Sequence, residues 1–275
     1  MTRITKTFQK KQEGKRLLSI YFTAGYPELN STLDIAEELE RSGADFLEIG
    51  FPYSDPLADG PVIQHSSQVA LQNGMTLELL FNQLQDLRKR VSIPVYLMGY
   101  FNTVLQYGVE RFCQSCKAVG VDGAIIPDLP LYEYENLYQS TFEENGISNI
   151  FLVSPQTPDA RIRQIDALSN GFIYLLSSSS TTGNTLEVSR ERSDYFQRIK
   201  DLNLKNPLVI GFGISNHDNF RQAAEIADAA IIGSAFVKQL DKADYLKGIA
   251  SFIRGIKEGE GQEEGVVASN SKDAG

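Results

Sequence analysis

The chain of 275 residues is 42% hydrophobic and carries a formal charge of −9, from 35 acidic against 26 basic residues. That apolar content is enough to bury a sizeable core, and an acidic chain with no basic stripe argues against nucleic acid as a partner. No apolar run approaches the ~20 residues needed to cross a bilayer, and the N-terminus lacks the apolar centre of a signal peptide, so a soluble, cytoplasmic protein with no membrane partner is expected.

Residues 3–16 are rich in Lys and Arg, but Glu13 and several glutamines break the acid-poor pattern of a transit peptide. A short amphipathic helix capping the domain is expected there. Eight apolar, strand-like runs follow, at 17–22, 45–50, 94–98, 123–127, 149–153, 171–177, 207–212 and 229–233. Helical periodicity follows each of them, over 31–42, 77–91, 109–119, 133–145, 159–169, 188–202, 218–227 and 235–256. Unbroken strand and helix alternation means parallel strands, and continuous apolar runs mean that both sheet faces are covered.

Eight such units in about 250 residues fit a closed (β/α)8 TIM barrel better than an open doubly wound sheet, which usually has fewer strands and a Gly-rich first turn. The first turn, 23–27, has a single glycine. The predicted fold is therefore α/β, a single (β/α)8 barrel over residues 1–257 with an N-terminal capping helix. Residues 258–275 carry −4 of the net charge on a Gly-, Glu- and Ser-containing stretch and are expected to form a frayed acidic tail. Cys113 and Cys116 are helical neighbours with no second pair and no nearby histidine. Core packing is favoured for them over redox or metal use, and no metal site is expected.

In such a barrel the chemistry sits where strands end and βα loops begin. The strand ends are Thr23, Glu48, Tyr100 with Asn102, Asp128, Ser154, Ser177, Gly211 and Gly233. None is lysine or histidine, which argues against a Schiff-base aldolase and against an imidazole-ligated metal. Proton transfer by carboxylates remains. The stretch 46–61, FLEIGFPYSDPLADGP, concentrates them: period-2 alternation sets Glu48 on the opposite face from Leu47 and Ile49, and a proline-stiffened loop then carries Asp55 and Asp59. A structural ion pair for Glu48 and an ordinary turn aspartate for Asp59 are the competing readings.

The other half of the rim has the look of a phosphate cradle. Residues 211–215 (GFGIS) follow the seventh strand, and 232–235 (IGSA) follow the eighth and open a helix. Glycines admit close approach of backbone N–H groups to an anion, and a helix start adds a favourable dipole, although tight turns alone would also call for glycine. The loop 177–185, SSSSTTGNT, is as suitable for a lid as for an ordinary solvated loop.

These residues resemble the tryptophan synthase alpha subunit family. The likeness runs from about Ser19 to Lys238, through YFTAGYP, LEIGFPYSDPLADGP, LMGYFN, VGVDGAIIPDLP, the Thr182–Gly183 pair, GFGIS and IIGSAFVK. It implies a barrel that cleaves indole-3-glycerol phosphate to indole and glyceraldehyde 3-phosphate, a retro-aldol scission in tryptophan biosynthesis. Glu48 and Asp59 match the catalytic positions. Phe22, Tyr100, Tyr174, Thr182 and Phe212 match substrate-binding positions, with Thr182 engaging the aspartate. Gly183, Gly213, Gly233 and Ser234 match the phosphate site.

Asp55, Asn102 and Pro130 match the surface offered to a beta subunit, which carries pyridoxal phosphate and receives indole directly. No cofactor is implied for this chain, and an alpha2beta2 tetramer is. Two departures stand out: Ser180 and Thr181 occupy lid positions where the family usually has glycine and valine, and Tyr53 replaces the more usual phenylalanine. Other readings are a different phosphate-binding barrel, such as an indole-glycerol-phosphate synthase or a phosphoribosyl isomerase, and a non-catalytic subunit that only activates its partner.

Overall fold

A computed structural model describes residues 1–12, 15–176, 190–211 and 213–259. The strands are β1 (Leu17–Thr23), β2 (Phe46–Gly50), β3 (Val95–Met98), β4 (Gly123–Ile125), β5 (Ser148–Val153), β6 (Ile173–Leu176), β7 (Leu208–Gly211) and β8 (Ala229–Ile232). They pair in parallel and in sequence order, and β8 closes back on β1. The expected (β/α)8 barrel is the fold of the chain.

Register decides what the barrel encloses. Tyr21, Glu48, Tyr96, Gly123 and Ser148 align across β1 to β5. Their side of each strand is the lumen, because rings on non-adjacent strands meet there: Phe172, just before β6, lies 5.1 Å from Tyr96 and 5.7 Å from Phe46. These rings form an aromatic floor below Glu48, filled at density close to that of other protein interiors.

The N-terminal helix α1 (Arg3–Gln12) seals the floor from beneath, as the capping expectation required. Ile4 and Thr7 are buried, and the Phe8 ring stands 6.2 Å from Phe46 and 6.4 Å from Phe172. Outside the barrel run α2 (Thr32–Arg41), α3 (Pro61–Gln72), α4 (Leu77–Gln83), α5 (Leu87–Arg90), α6 (Phe101–Tyr107), α7 (Val109–Val119), α8 (Leu131–Glu133), α9 (Gln139–Glu144), α10 (Asp159–Leu168), α11 (Arg190–Asp201), α12 (His217–Ile226), α13 (Ser234–Leu240) and α14 (Tyr245–Glu258).

Three departures from the expected helices have local causes. α3 and α6 are additional, inserted in the loops after β2 and β3, and α3 starts with Pro61 at a first-turn position, where its missing N–H costs nothing. The helix expected over 77–91 tightens into a 3-10 turn at Leu84–Asp86 between α4 and α5. The single helix expected over 235–256 breaks between α13 and α14, where Asp244 takes a left-handed conformation at φ 56°. Cys113 and Cys116 are buried, unbonded thiols on α7, as core packing required. Of the tail expected over 258–275, Glu258 still belongs to α14 and Gly259 caps it, and residues 260–275 lie outside the described residues.

Gly123 shows how tightly the lumen is filled. A Cβ there would lie 2.5 Å from the Ser148 carbonyl oxygen and 2.5 Å from the Tyr96 ring. The backbone oxygen cannot swing aside, so Gly123→Ala is expected to destabilise the barrel by about 1–3 kcal/mol. Chemical denaturation monitored by circular dichroism measures this, and an unchanged midpoint and slope would mean that the β4–β5 spacing yields.

Candidate active site

The site is built from one rigid and one looped carboxyl group. Glu48 sits in the middle of β2, 0% exposed and facing the lumen. Its Oε1 accepts a hydrogen bond from Ser19 Oγ at 3.1 Å, and its Oε2 is buried with no hydrogen-bond partner among the described residues. No cationic side chain of the described residues pairs with it. Burial pushes its pKa up to about 8, and the Ser19 hydrogen bond only partly offsets that. At neutral pH Glu48 is therefore a protonated acid. With Oε1 accepting from Ser19, Oε2 is the oxygen left without a partner.

Asp59 lies half-buried in the loop between β2 and α3. Gln64, in the first turn of α3, anchors this loop by donating from Nε2 to the Asp59 carbonyl at 2.9 Å. The Tyr100 hydroxyl donates to Asp59 Oδ2 at 3.1 Å and accepts from the Ala58 amide at 2.9 Å. Tyr53 stacks on Tyr100 with ring centroids 5.1 Å apart, so the hydroxyl that sets Tyr53 apart belongs to a ring that steadies the Asp59 support. Burial pushes Asp59 up to about 6, with the Tyr100 hydrogen bond pulling the other way. Near pH 7 the site thus pairs an ionised Asp59 with a neutral Glu48, the separation of roles that acid/base chemistry needs.

Two further phenols close round the carboxyl groups. Tyr21 lines a small enclosed cavity with Asp59 and Tyr100, and its hydroxyl stands over Gly50, where any Cβ would collide with it. The hydroxyl of Tyr174 stands in the same way over Gly211. Burial, reinforced by the charges of Asp59 and Glu48, holds both phenols well above the usual tyrosine range, so both stay neutral.

Phe22 needs correcting. It is fully buried, but it pairs with Ile49 in the β1–β2 register and so lies on the face away from Glu48. Tyr21 occupies the lumen side instead. The alternation already visible in the sequence contains the signal: Ser19, Tyr21 and Thr23 share a face, and Ser19 touches Glu48. Tyr100 donates to Asp59, and Tyr174 lies close enough to Glu48 and Asp59 to feel both charges. Thr182, Gly183 and Phe212 lie outside the described residues, as does the 177–185 loop with Ser180 and Thr181.

On the far rim Gly213 adopts a φ of 77°, and Gly233 precedes α13, whose first turn opens with Ser234. No side chain caps that helix start, and the Ser234 and Ala235 amides have no intrahelical acceptor. Gly233 touches the Tyr21 side chain, with its notional Cβ 3.6 Å away, so this rim adjoins the lumen. Asp55, Asn102 and Pro130 are all exposed, on the loops after β2, β3 and β4. Leu57, 86% exposed, and Tyr132, 70% exposed, belong to the same loop ends. Asp128 caps α6 by accepting from the Phe101 amide at 2.8 Å, and Ser154 bonds within its own turn to Thr157.

Residues 8–260 match the family model for tryptophan synthase alpha chain. A relative in Flavobacterium johnsoniae named tryptophan synthase alpha chain is 56% identical over 257 residues, covering 94% of this chain and all of the relative. The crystal structure of tryptophan synthase subunit alpha from Legionella pneumophila superposes with a TM-score of 0.85 at 34% identity, covering 94% of this chain and 98% of that one. A structure of tryptophan synthase from Mycobacterium tuberculosis superposes with a TM-score of 0.85 at 28% identity, with the same coverage.

The buried acid has a signature in stability. A carboxyl group with its folded pKa near 8, against 4.5 when unhindered, favours the folded state below pH 4.5, and that contribution is lost as pH rises through 8. Glu48→Gln cannot ionise. It should therefore gain stability relative to wild type, by on the order of 2 kcal/mol or more, between about pH 5 and about pH 9. Urea unfolding at the two pH values checks this; a constant difference would mean that Glu48 ionises without cost in the folded chain.

Proposed function

The chain belongs to the tryptophan synthase alpha chain family, and from that premise we propose that Glu48 and Asp59 divide the proton work of cleaving indole-3-glycerol phosphate into indole and glyceraldehyde 3-phosphate. The observation that carries this reading is the pair of carboxyl groups at one end of the lumen, one held neutral and one ionised at the same pH.

The reaction needs a proton delivered to the indole ring carbon that bears the side chain, charge stabilised at the ring N–H, and a proton removed from the adjacent hydroxyl. Glu48 Oε2 supplies the first proton and becomes a carboxylate. The ring nitrogen then carries positive charge, which ionised Asp59 stabilises. As the carbon–carbon bond breaks, the hydroxyl oxygen becomes the aldehyde oxygen, the bonding electrons restore the aromatic ring, and Glu48 takes up the hydroxyl proton. The acid is regenerated with protons in balance. Strand β2 supplies the rigidity this double transfer requires, since the same carboxyl group must reach two neighbouring atoms.

Tyr21, Tyr100 and Tyr174 supply aromatic walls for the indole; Phe212 and Thr182, outside the described residues, are assigned to substrate binding by the resemblance alone. The phosphate is assigned to the Gly213 turn and to the Ser234 and Ala235 amides after Gly233, together with Gly183. Asp55, Asn102 and Pro130, with the exposed Leu57 and Tyr132, form the surface for a tryptophan synthase beta subunit in an alpha2beta2 assembly. Pyridoxal phosphate belongs to that partner. No helix of the described residues is long and apolar enough to cross a membrane, in keeping with a cytoplasmic biosynthetic enzyme.

Indole release from indole-3-glycerol phosphate, measured with and without a beta subunit, tests the assignment. The profile of kcat/KM should be bell-shaped, rising as Asp59 ionises near 6 and falling as Glu48 ionises near 8. Glu48→Gln should lower kcat at least about 100-fold with KM within a few fold; retained turnover would remove Glu48 from the chemistry. Ser234→Asp should raise KM about tenfold or more with kcat less affected, since like charge would face the phosphate. Equal affinity for the unphosphorylated substrate would refute the cradle.

A further inference from the structure

We propose that Ser19 is a positioning residue for Glu48, pinning one carboxyl oxygen so that the transferable proton is held on the other. The inference rests on the assignment of Glu48 as the proton donor. Ser19 lies on β1, one lumen-facing position below Tyr21, and in the β1–β2 register it pairs with Phe46 while Tyr21 pairs with Glu48. Its hydroxyl therefore reaches Glu48 along the diagonal between neighbouring strands, from the floor side of the carboxyl group.

Both groups are 0% exposed, so no solvent competes for the hydroxyl. Ser19 Oγ has no other partner among the described residues, and a serine hydroxyl has one proton to give. That proton goes to Oε1 at 3.1 Å. A neutral carboxyl group accepting there carries its own hydrogen on Oε2, the oxygen without a partner. Without the serine, the two oxygens would be equivalent by hydrogen bonding, and half of the neutral population would hold the proton on the floor side.

The same bond matters after transfer. Glu48 then becomes a buried carboxylate. Tyr96 on β3 faces it in register with a buried hydroxyl that makes no hydrogen bond among the described residues, and Tyr21 on β1 turns its hydroxyl toward Thr23. Asp59 in the β2–α3 loop is itself an anion. Ser19 is the one hydroxyl among the described residues that donates to the carboxylate, so it lowers the cost of the uphill proton delivery.

The test compares wild type, Ser19→Ala and Ser19→Thr, the last keeping a hydroxyl in strand geometry, with thermal melts confirming that each is folded. Carbon-13 NMR of glutamate-labelled protein follows the carboxyl titration, with Glu48→Gln identifying the resonance. Ser19→Ala should raise the Glu48 midpoint by about one pH unit, and Ser19→Thr should restore it. In the lyase assay, Ser19→Ala should lower kcat about tenfold with KM within about twofold and move the alkaline limb upward, again with recovery in Ser19→Thr.

An unchanged midpoint and unchanged pH profile in folded Ser19→Ala would overturn the proposal, leaving the serine as packing alone. Loss in Ser19→Ala that a folded Ser19→Thr fails to recover would overturn it as well. A wild-type chain that releases no indole yet shows the Ser19-dependent titration would refute the lyase assignment while supporting the Ser19 pairing, so the two failures are distinguishable.

Discussion

Burying a carboxyl group without a cation is the constraint around which this barrel is arranged. Removing an ionised glutamate from water costs far more than a single hydroxyl can return, so the group keeps its proton at neutral pH. Glu48 is in that position: enclosed by β1, β2 and β3, floored by Phe46, Tyr96 and Phe172, and supplied with one hydrogen bond from Ser19. An arginine or lysine nearby would have held it ionised, and a glutamate that is already an anion cannot donate a proton. The apolar floor thus does chemical as well as structural work, and α1 contributes by pressing Phe8 against it from outside.

Asp59 meets the same two influences in milder form: burial raises it to about 6, and the Tyr100 hydroxyl offsets part of that. It stands on a loop, half-buried, and Tyr100 gives it a hydroxyl and holds the neighbouring Ala58 amide with the same oxygen. One phenol therefore fixes both the position of the loop and the charge state of its carboxylate. Glu48 is held by a strand, whereas Asp59 is held on its loop by Tyr100 and Gln64. Two groups of the same chemical type acquire different tasks through their surroundings alone.

The barrel itself was legible because eight apolar runs and their intervening helical periods leave little topological freedom, and Glu48 was legible because an acid inside FLEIG breaks an otherwise apolar strand. Asp59 could be picked out only with the whole FLEIGFPYSDPLADGP stretch and its family resemblance in view. Phe22 entered through the resemblance, not through a reading of the β1 faces: every residue of LLSIYFT is buried, so burial alone does not choose between Tyr21 and Phe22, and the β1–β2 register with the Ser19–Glu48 contact does. The helices α3 and α6 were hidden for a related reason. They are insertions of 12 and 7 residues in the loops after β2 and β3, with Pro61 and Phe101 at their starts, and their periodicity blends with the polar turns around them. The break before α14 depends on a single left-handed aspartate, Asp244, which composition does not announce.

The phenols of Tyr21 and Tyr174 arch over Gly50 and Gly211, occupying the volume that a side chain at either glycine would need. Each pair is thus a single unit of inheritance spread over two strands. A mutation at Gly50 is tolerable only after position 21 has shrunk, and a smaller residue at 21 leaves a void until position 50 grows. Side-chain volume at the barrel mouth is therefore shared between strands, and enlarging either glycine requires the facing phenol to shrink or move.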